Sequence, residues 1–144
     1  MLYFDTSFLT PLILEEDTSA KVETFLTGLP AGELAISHWT RTEFASLLAR
    51  EVRMRTLSPG DAWAALAQFD RLTAESFHVL TPHAADFDLA TEYPKHHETG
   101  LRAGDALHLA IARNHGAHIC YSLDQGLLKA ARLLGLSASR GIEP

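Results

Sequence analysis

With 144 residues the chain is long enough for one domain with a sizeable core, and its single cysteine excludes an internal disulfide. The apolar share of 47% and charged share of 21% are those of a globular protein, and no apolar run approaches the ~20 residues of a membrane helix. A formal net charge of −6 excludes bulk attraction to polyphosphate, but not an acidic site whose charge is offset by divalent metal. The start, Met1-Leu2-Tyr3-Phe4-Asp5, has neither a basic n-region nor a cleavable apolar segment, so the expectation is one cytoplasmic domain, 1–144, with no membrane association.

Leu2-Tyr3-Phe4 reads as a first strand, with Asp5-Thr6-Ser7 at its carboxyl end and a short helix through about Leu14. A helix from about Ser19 carries Val22, Phe25, Leu26 and Leu29 at i, i+3, i+4, i+7 and stops at Pro30. Leu34-Ala35-Ile36 is the second strand. After His38-Trp39 a helix shows Phe44, Leu47, Leu48 and Val52 on one face. Ser58-Pro59-Gly60-Asp61 is a helix start, with Ser at the N-cap, Pro at the first position and an acid in the first turn. Its helix turns Ala62, Leu66 and Phe69 inward. Phe77–Leu80 is a third strand, Pro82 begins a helix through about Tyr93, and 94–100 reads as a polar loop.

The stretch 101–136 reads as helix, tight turn, buried strand and helix. Ala103, Ala106, Leu107, Ala110 and Ile111 recur with helical spacing in a helix opened by Asp105, and Gly116 ends it. Ala117–Tyr121 is apolar enough for a central parallel strand, and Cys120 within it reads as a buried, inert thiol. Asp124 follows where strand hands over to helix, and a last short strand lies around Ser137 to Ser139. Strands alternating with helices imply an α/β fold, a parallel sheet of about five strands with helices on both faces.

Asp5, Glu43, Asp105 and Asp124 each head a helix or end a strand, and each has a purely local reading. Asp5 would make an Asx turn. Thr40-Arg41-Thr42-Glu43 has the form of a capping box. Asp105 and Asp124 would favour a helix start through the macrodipole, by ~0.3–1 kcal/mol each. Together they read differently. Two carboxylates about 5 Å apart repel by roughly 3 kcal/mol at an effective dielectric near 20, and a divalent ion removes that cost. Hard oxygen donors suit Mg²⁺ or Mn²⁺, ions that serve displacement at phosphorus.

The segments LYFDTSFL, HWTRTEFASLLAR, LRAGDALHLAIA and YSLDQGLLKAA resemble, in that order, the PIN-domain ribonucleases, and among them the VapC-type toxins of toxin–antitoxin pairs. The resemblance implies a PIN-like, flavodoxin-like three-layer sandwich. It makes Asp5, Glu43, Asp105 and Asp124 the catalytic, metal-binding quartet, with Mg²⁺ or Mn²⁺ as cofactor. Ser122 matches a Ser or Thr near the metal, and Thr6 and Ser7 match small polar residues after the first acid. The implied activity is endonucleolytic cleavage of RNA by metal-activated water. The implied partners are the RNA substrate, a cognate antitoxin protein and a second copy in a homodimer.

Arg41 and Arg102 lie close in sequence to proposed ligands, and either would hold a phosphate or damp carboxylate repulsion. His108, one turn after Asp105, is either a crevice residue or a hydrogen-bonded packing histidine. His96-His97-Glu98 reads as solvated loop, and Trp39 as packing on the sheet rather than stacking on a base. Two other functions fit the same residues: a DNA-directed metal nuclease on the same fold, and a catalytically silent nucleic-acid- or partner-binding module. A phospho-acceptor domain wants paired acids after the first strand, where this chain has Asp5 alone before Thr6 and Ser7.

Overall fold

A computed structural model describes all of residues 1–144. Its strands are Leu2–Phe4 (β1), Leu34–Ser37 (β2), His78–Leu80 (β3), Ile119–Tyr121 (β4) and Ala138–Ser139 (β5). All pair in parallel, in the order β3-β2-β1-β4-β5. The helices are Thr6–Leu9 (α1), Ser19–Thr27 (α2), His38–Arg53 (α3), Pro59–Ser76 (α4), Ala84–Glu92 (α5), Ala103–Asn114 (α6) and Gln125–Leu133 (α7). None is long and apolar enough to cross a membrane.

Side chains alternate across a strand, and β1 shows the consequence. Tyr3 joins a cluster with Cys120 and the inner faces of α6 and α7, while Phe4 joins Ile36, Phe8, Phe44 and Phe69 under α1 to α4. These are the expected three layers. Burying each large apolar side chain contributes roughly 1.5–3 kcal/mol, so both faces of the sheet anchor its centre. The stack of Phe44 on Phe69, 4.4 Å between centroids and 20° from parallel, clamps α3 to α4.

Several boundaries differ from those expected. The helix after β2 begins at His38, two residues before Thr40, because Ser37 is its N-cap and Ser37 N–H donates to Thr40 Oγ1 at 3.2 Å. Pro82 lies outside α5: His83 is the N-cap, its N–H held by Asp86 Oδ2 at 2.8 Å. Residues 94–100 are more ordered than a loop, with 3-10 turns at Tyr93–Lys95 and His97–Thr99. Helix α6 starts at Ala103, which is exposed, and ends with Gly116 at φ 75°, a left-handed position that favours glycine. Strand β4 is limited to Ile119–Tyr121.

Candidate active site

The strand order reverses between β1 and β4. In open α/β sheets, ligands bind outside the carboxyl ends of the strands at such a reversal. Asp5 directly follows β1 and Asp124 follows β4, while Glu43 comes from the second turn of α3 and Asp105 from the first turn of α6.

Asp5 is 2% exposed and fully engaged. Its Oδ1 accepts from Ser7 Oγ at 2.8 Å and from Phe8 N–H at 3.0 Å, and its Oδ2 accepts from Ser122 Oγ at 2.5 Å. The bond to Phe8 is the helix-capping role expected of an acid here, so Asp5 caps α1 as well as facing the crevice. Burial pushes its carboxyl upward, and the His108 charge and the Ser122, Ser7 and Phe8 donors oppose this only in part. The same hydroxyls tie the two strand ends together. Ser122 Oγ accepts from Asp124 N–H at 3.0 Å, and Ser7 Oγ from Leu123 N–H at 2.9 Å.

Asp124 is exposed and is the N-cap of α7, with Oδ1 accepting from Leu127 N–H at 3.0 Å and Oδ2 free. Glu43 is not part of a capping box, since α3 has already run for a turn. Its Oε2 accepts from Thr6 Oγ1 at 2.6 Å and from His108 Nε2 at 2.5 Å. Burial would raise its carboxyl, but His108 and the Thr6 hydroxyl outweigh it and hold it below the usual value. The other oxygen, Oε1, has no hydrogen bond and lies against Gly104, where a Cβ would approach it to 2.8 Å.

The Asp105 carboxylate makes no hydrogen bond. Burial first, then the charges of Asp124, Asp5 and Glu43, push its carboxyl up to about 6, against a smaller opposing pull from His108. Four elements have thus brought four acids within electrostatic reach of one another. As the side chains stand, no three Asp, Glu, His or Cys groups meet as an ion cage. The donor set nevertheless fits a hard divalent cation. It is all carboxylate oxygen, with both oxygens of Asp105, Oδ2 of Asp124 and Oε1 of Glu43 free, and with repulsion that a cation would relieve.

The remaining candidates divide. Thr6, Ser7 and Ser122 are in the site, each on a carboxylate. His108, 1% exposed, is drawn inward: Nε2 faces Glu43 and Nδ1 meets Tyr3 Oη at 2.8 Å. Arg41 is turned away from the acids into a two-point pair with Asp70 on α4, at 2.8 and 3.2 Å. Its neighbour Thr40 is buried, while Arg41 itself turns toward α4, which supplies Asp70. Arg102 is exposed at the N-cap of α6. His96, His97 and Glu98 are exposed, and half-buried Trp39 spends its indole N–H on Gly104 O at 3.2 Å. Three participants were missed: Tyr3, Ser37 and Gly104. Only Gly104 carried a signal, a residue costing about 1 kcal/mol relative to Ala inside a helix yet set beside a candidate ligand.

No curated protein sequence matches the chain significantly. Among solved structures it resembles the Mycobacterium tuberculosis toxin VapC20, described as cleaving the sarcin–ricin loop, with TM-score 0.72 and 23% identity over 90% of this chain and 95% of that one. It also resembles VapBC-1 of nontypeable Haemophilus influenzae, with TM-score 0.69 and 15% identity over 98% of both chains. For FitAcB of Neisseria gonorrhoeae the TM-score is 0.67 and the identity 20%, again over 98% of both. At these identities the likeness is one of fold. The sequence itself matches the PIN domain over residues 2–133, a span that takes in all four acids of the crevice, and by that match the chain belongs to the PIN-domain family.

Proposed function

We propose that the chain is a divalent-metal-dependent endoribonuclease, the toxin of a toxin–antitoxin pair. The observation that carries this reading is Asp105, a carboxylate without a hydrogen bond, raised to about 6 by burial and by three neighbouring acids. A folded chain gains nothing from such repulsion unless a cation joins it. Asp5, Glu43, Asp105 and Asp124 would hold Mg²⁺ or Mn²⁺. The ion, when bound, would offset their charge and lower the pKa of water toward neutrality for attack on a phosphodiester.

The chain's own residues do the rest. Ser7 and Ser122 fix the rotamer of Asp5, and Thr6 and His108 fix that of Glu43. Arg102, exposed beside the first turn of α6, is the cation suited to a substrate phosphate. A nucleic-acid substrate is supported by VapC20, described as a toxin cleaving the sarcin–ricin loop, and an antitoxin partner by the similar fold of a toxin–antitoxin complex from Klebsiella pneumoniae. Homodimer formation and a cytoplasmic location go with the same reading.

The test is cleavage of total cellular RNA by antitoxin-free protein in Mg²⁺, in Mn²⁺ and in chelator, beside Asp105→Asn and a single-stranded DNA substrate. Discrete RNA products that need metal and vanish in the variant are the expected result. Cutting of DNA alone would replace the substrate. Folded protein that neither binds metal nor cuts would return the acids to helix capping and favour a binding module.

A further inference from the structure

His108 is buried on the inner face of α6, yet it is not a packing residue in the ordinary sense. A leucine would fill the space with no polar group to satisfy, whereas a buried imidazole is costly unless both nitrogens find partners. Both do. Nε2 meets Glu43 Oε2 at 2.5 Å, and Nδ1 meets Tyr3 Oη at 2.8 Å. Tyr3 Oη in turn meets Ser37 Oγ at 2.9 Å. With a carboxylate as its partner, Nε2 is the ring nitrogen that donates to Glu43, and Nδ1 pairs with the Tyr3 hydroxyl. One ring thereby joins β1, the end of β2, α3 and α6.

The consequence falls on Glu43. Its Oε2 takes two donors, His108 and Thr6, and this pins the carboxylate plane. Its Oε1 takes none and rests against Gly104, the residue before Asp105. We infer that His108, oriented by Tyr3, is a positioning residue that holds Glu43 by one oxygen so that the other is presented to the cation centre beside Asp105. This rests on the metal-dependent reading above. Losing a hydrogen-bond partner of a metal ligand typically costs about 10–100-fold in metal affinity or activity.

The experiment is Mn²⁺ titration by calorimetry, with the melting temperature of the metal-free protein, for wild type, His108→Leu, His108→Gln and Tyr3→Phe. His108→Leu keeps the volume and loses the donor, and its Mn²⁺ affinity should fall about tenfold or more, as for loss of other such partners. His108→Gln, whose amide N–H takes the place of Nε2–H, should stay close to wild type. Cleavage at saturating Mn²⁺ should follow the same order in kcat with KM for RNA unchanged. Wild-type affinity in His108→Leu, or equal loss in the Leu and Gln variants, would overturn the inference. Should His108→Leu fail to fold, Tyr3→Phe decides, because it removes one oxygen: weaker Mn²⁺ binding supports the inference and unchanged binding overturns it. A wild-type protein that binds no Mn²⁺ would remove the cation reading itself and this inference with it.

Discussion

Glu43 Oε1 lies where a side chain on Gly104 would begin: a Cβ there would come within 2.8 Å of it, and within 3.4 Å of the Trp39 ring. The absence of a side chain at one residue therefore makes room for a carboxylate supplied by a helix 61 positions earlier in the chain. A free glutamate would simply swing aside, but this one is pinned through Oε2 by His108 and Thr6.

Gly104→Ala should accordingly uncouple stability from activity. Alanine is favoured over glycine in a helix by up to about 1 kcal/mol, which offsets the strain of displacing Glu43. The melting temperature of the metal-free protein is expected to move little, while metal-dependent RNA cleavage falls at least about tenfold, the scale set by disturbing a ligand's support. Wild-type cleavage in this variant would mean that Glu43 has no part in the chemistry.

Asp105 gives a prediction with a definite sign. Its folded-state value of about 6 lies above the ordinary 3.8, so between these pH values the native state binds more protons than the unfolded one. Stability from this group is present below 3.8 and is lost as pH rises toward 6. Because the carboxyl is partly exposed, solvent screening reduces the effect to on the order of 1–2 kcal/mol. Asp105→Asn should therefore melt higher than wild type at pH 7.5 without metal, and the difference should vanish near pH 4. Added Mg²⁺ should stabilise wild type and leave the variant almost unmoved. Asp5 is a poorer control, since Asp5→Ala also removes the α1 cap and strands the Ser122 hydroxyl.

The alternation of short apolar strands with periodic helices made the layers legible, and the four acids could be named because each stands at a junction between such elements. What could not be read was which oxygen of each acid is spoken for. Glu43 looked like a cap because Thr40 stands three residues before it, but Ser37 starts the helix earlier and frees Glu43 for His108. Arg41 looked like a site residue by proximity in sequence. Its direction is set by Asp70, a contact across 29 positions that no local pattern encodes. Tyr3 is the same kind of case: within β1 it reads as core, and its hydroxyl gains meaning only once α6 is packed over it.

The two arginines should behave oppositely. Arg41 is paired with Asp70 at a half-exposed surface, and such pairs contribute about 0.2–1 kcal/mol. Arg41→Ala should lower the melting temperature slightly and leave cleavage near wild type. Arg102→Ala should raise KM for RNA and leave both stability and Mn²⁺ affinity intact. Parallel loss of Mn²⁺ binding in Arg102→Ala would assign it a structural role instead.

Away from the crevice, Asp86 offers a control for all of these. It is 1% exposed and accepts from His83 N–H at 2.8 Å, Asn114 Nδ2 at 2.8 Å and His115 Nε2 at 3.1 Å, joining the start of α5 to the end of α6. Burial would raise its carboxyl, but these donors and the His115 charge outweigh it and hold it below the ordinary 3.8. A lowered acid contributes stability that is present above its unfolded value and lost as pH falls through the folded one. Asp86→Ala strands three donors, one of them the backbone N–H of the N-cap His83, so urea denaturation at pH 7 should register a loss of about 2–3 kcal/mol. The gap between wild type and variant should narrow below pH 3.8. The kcat of the folded variant should be unchanged, because α6 meets Asp86 at its last turn and Asp105 at its first. A fall in kcat at a temperature where the variant is fully folded would instead mean that the α5–α6 junction sets the position of Asp105.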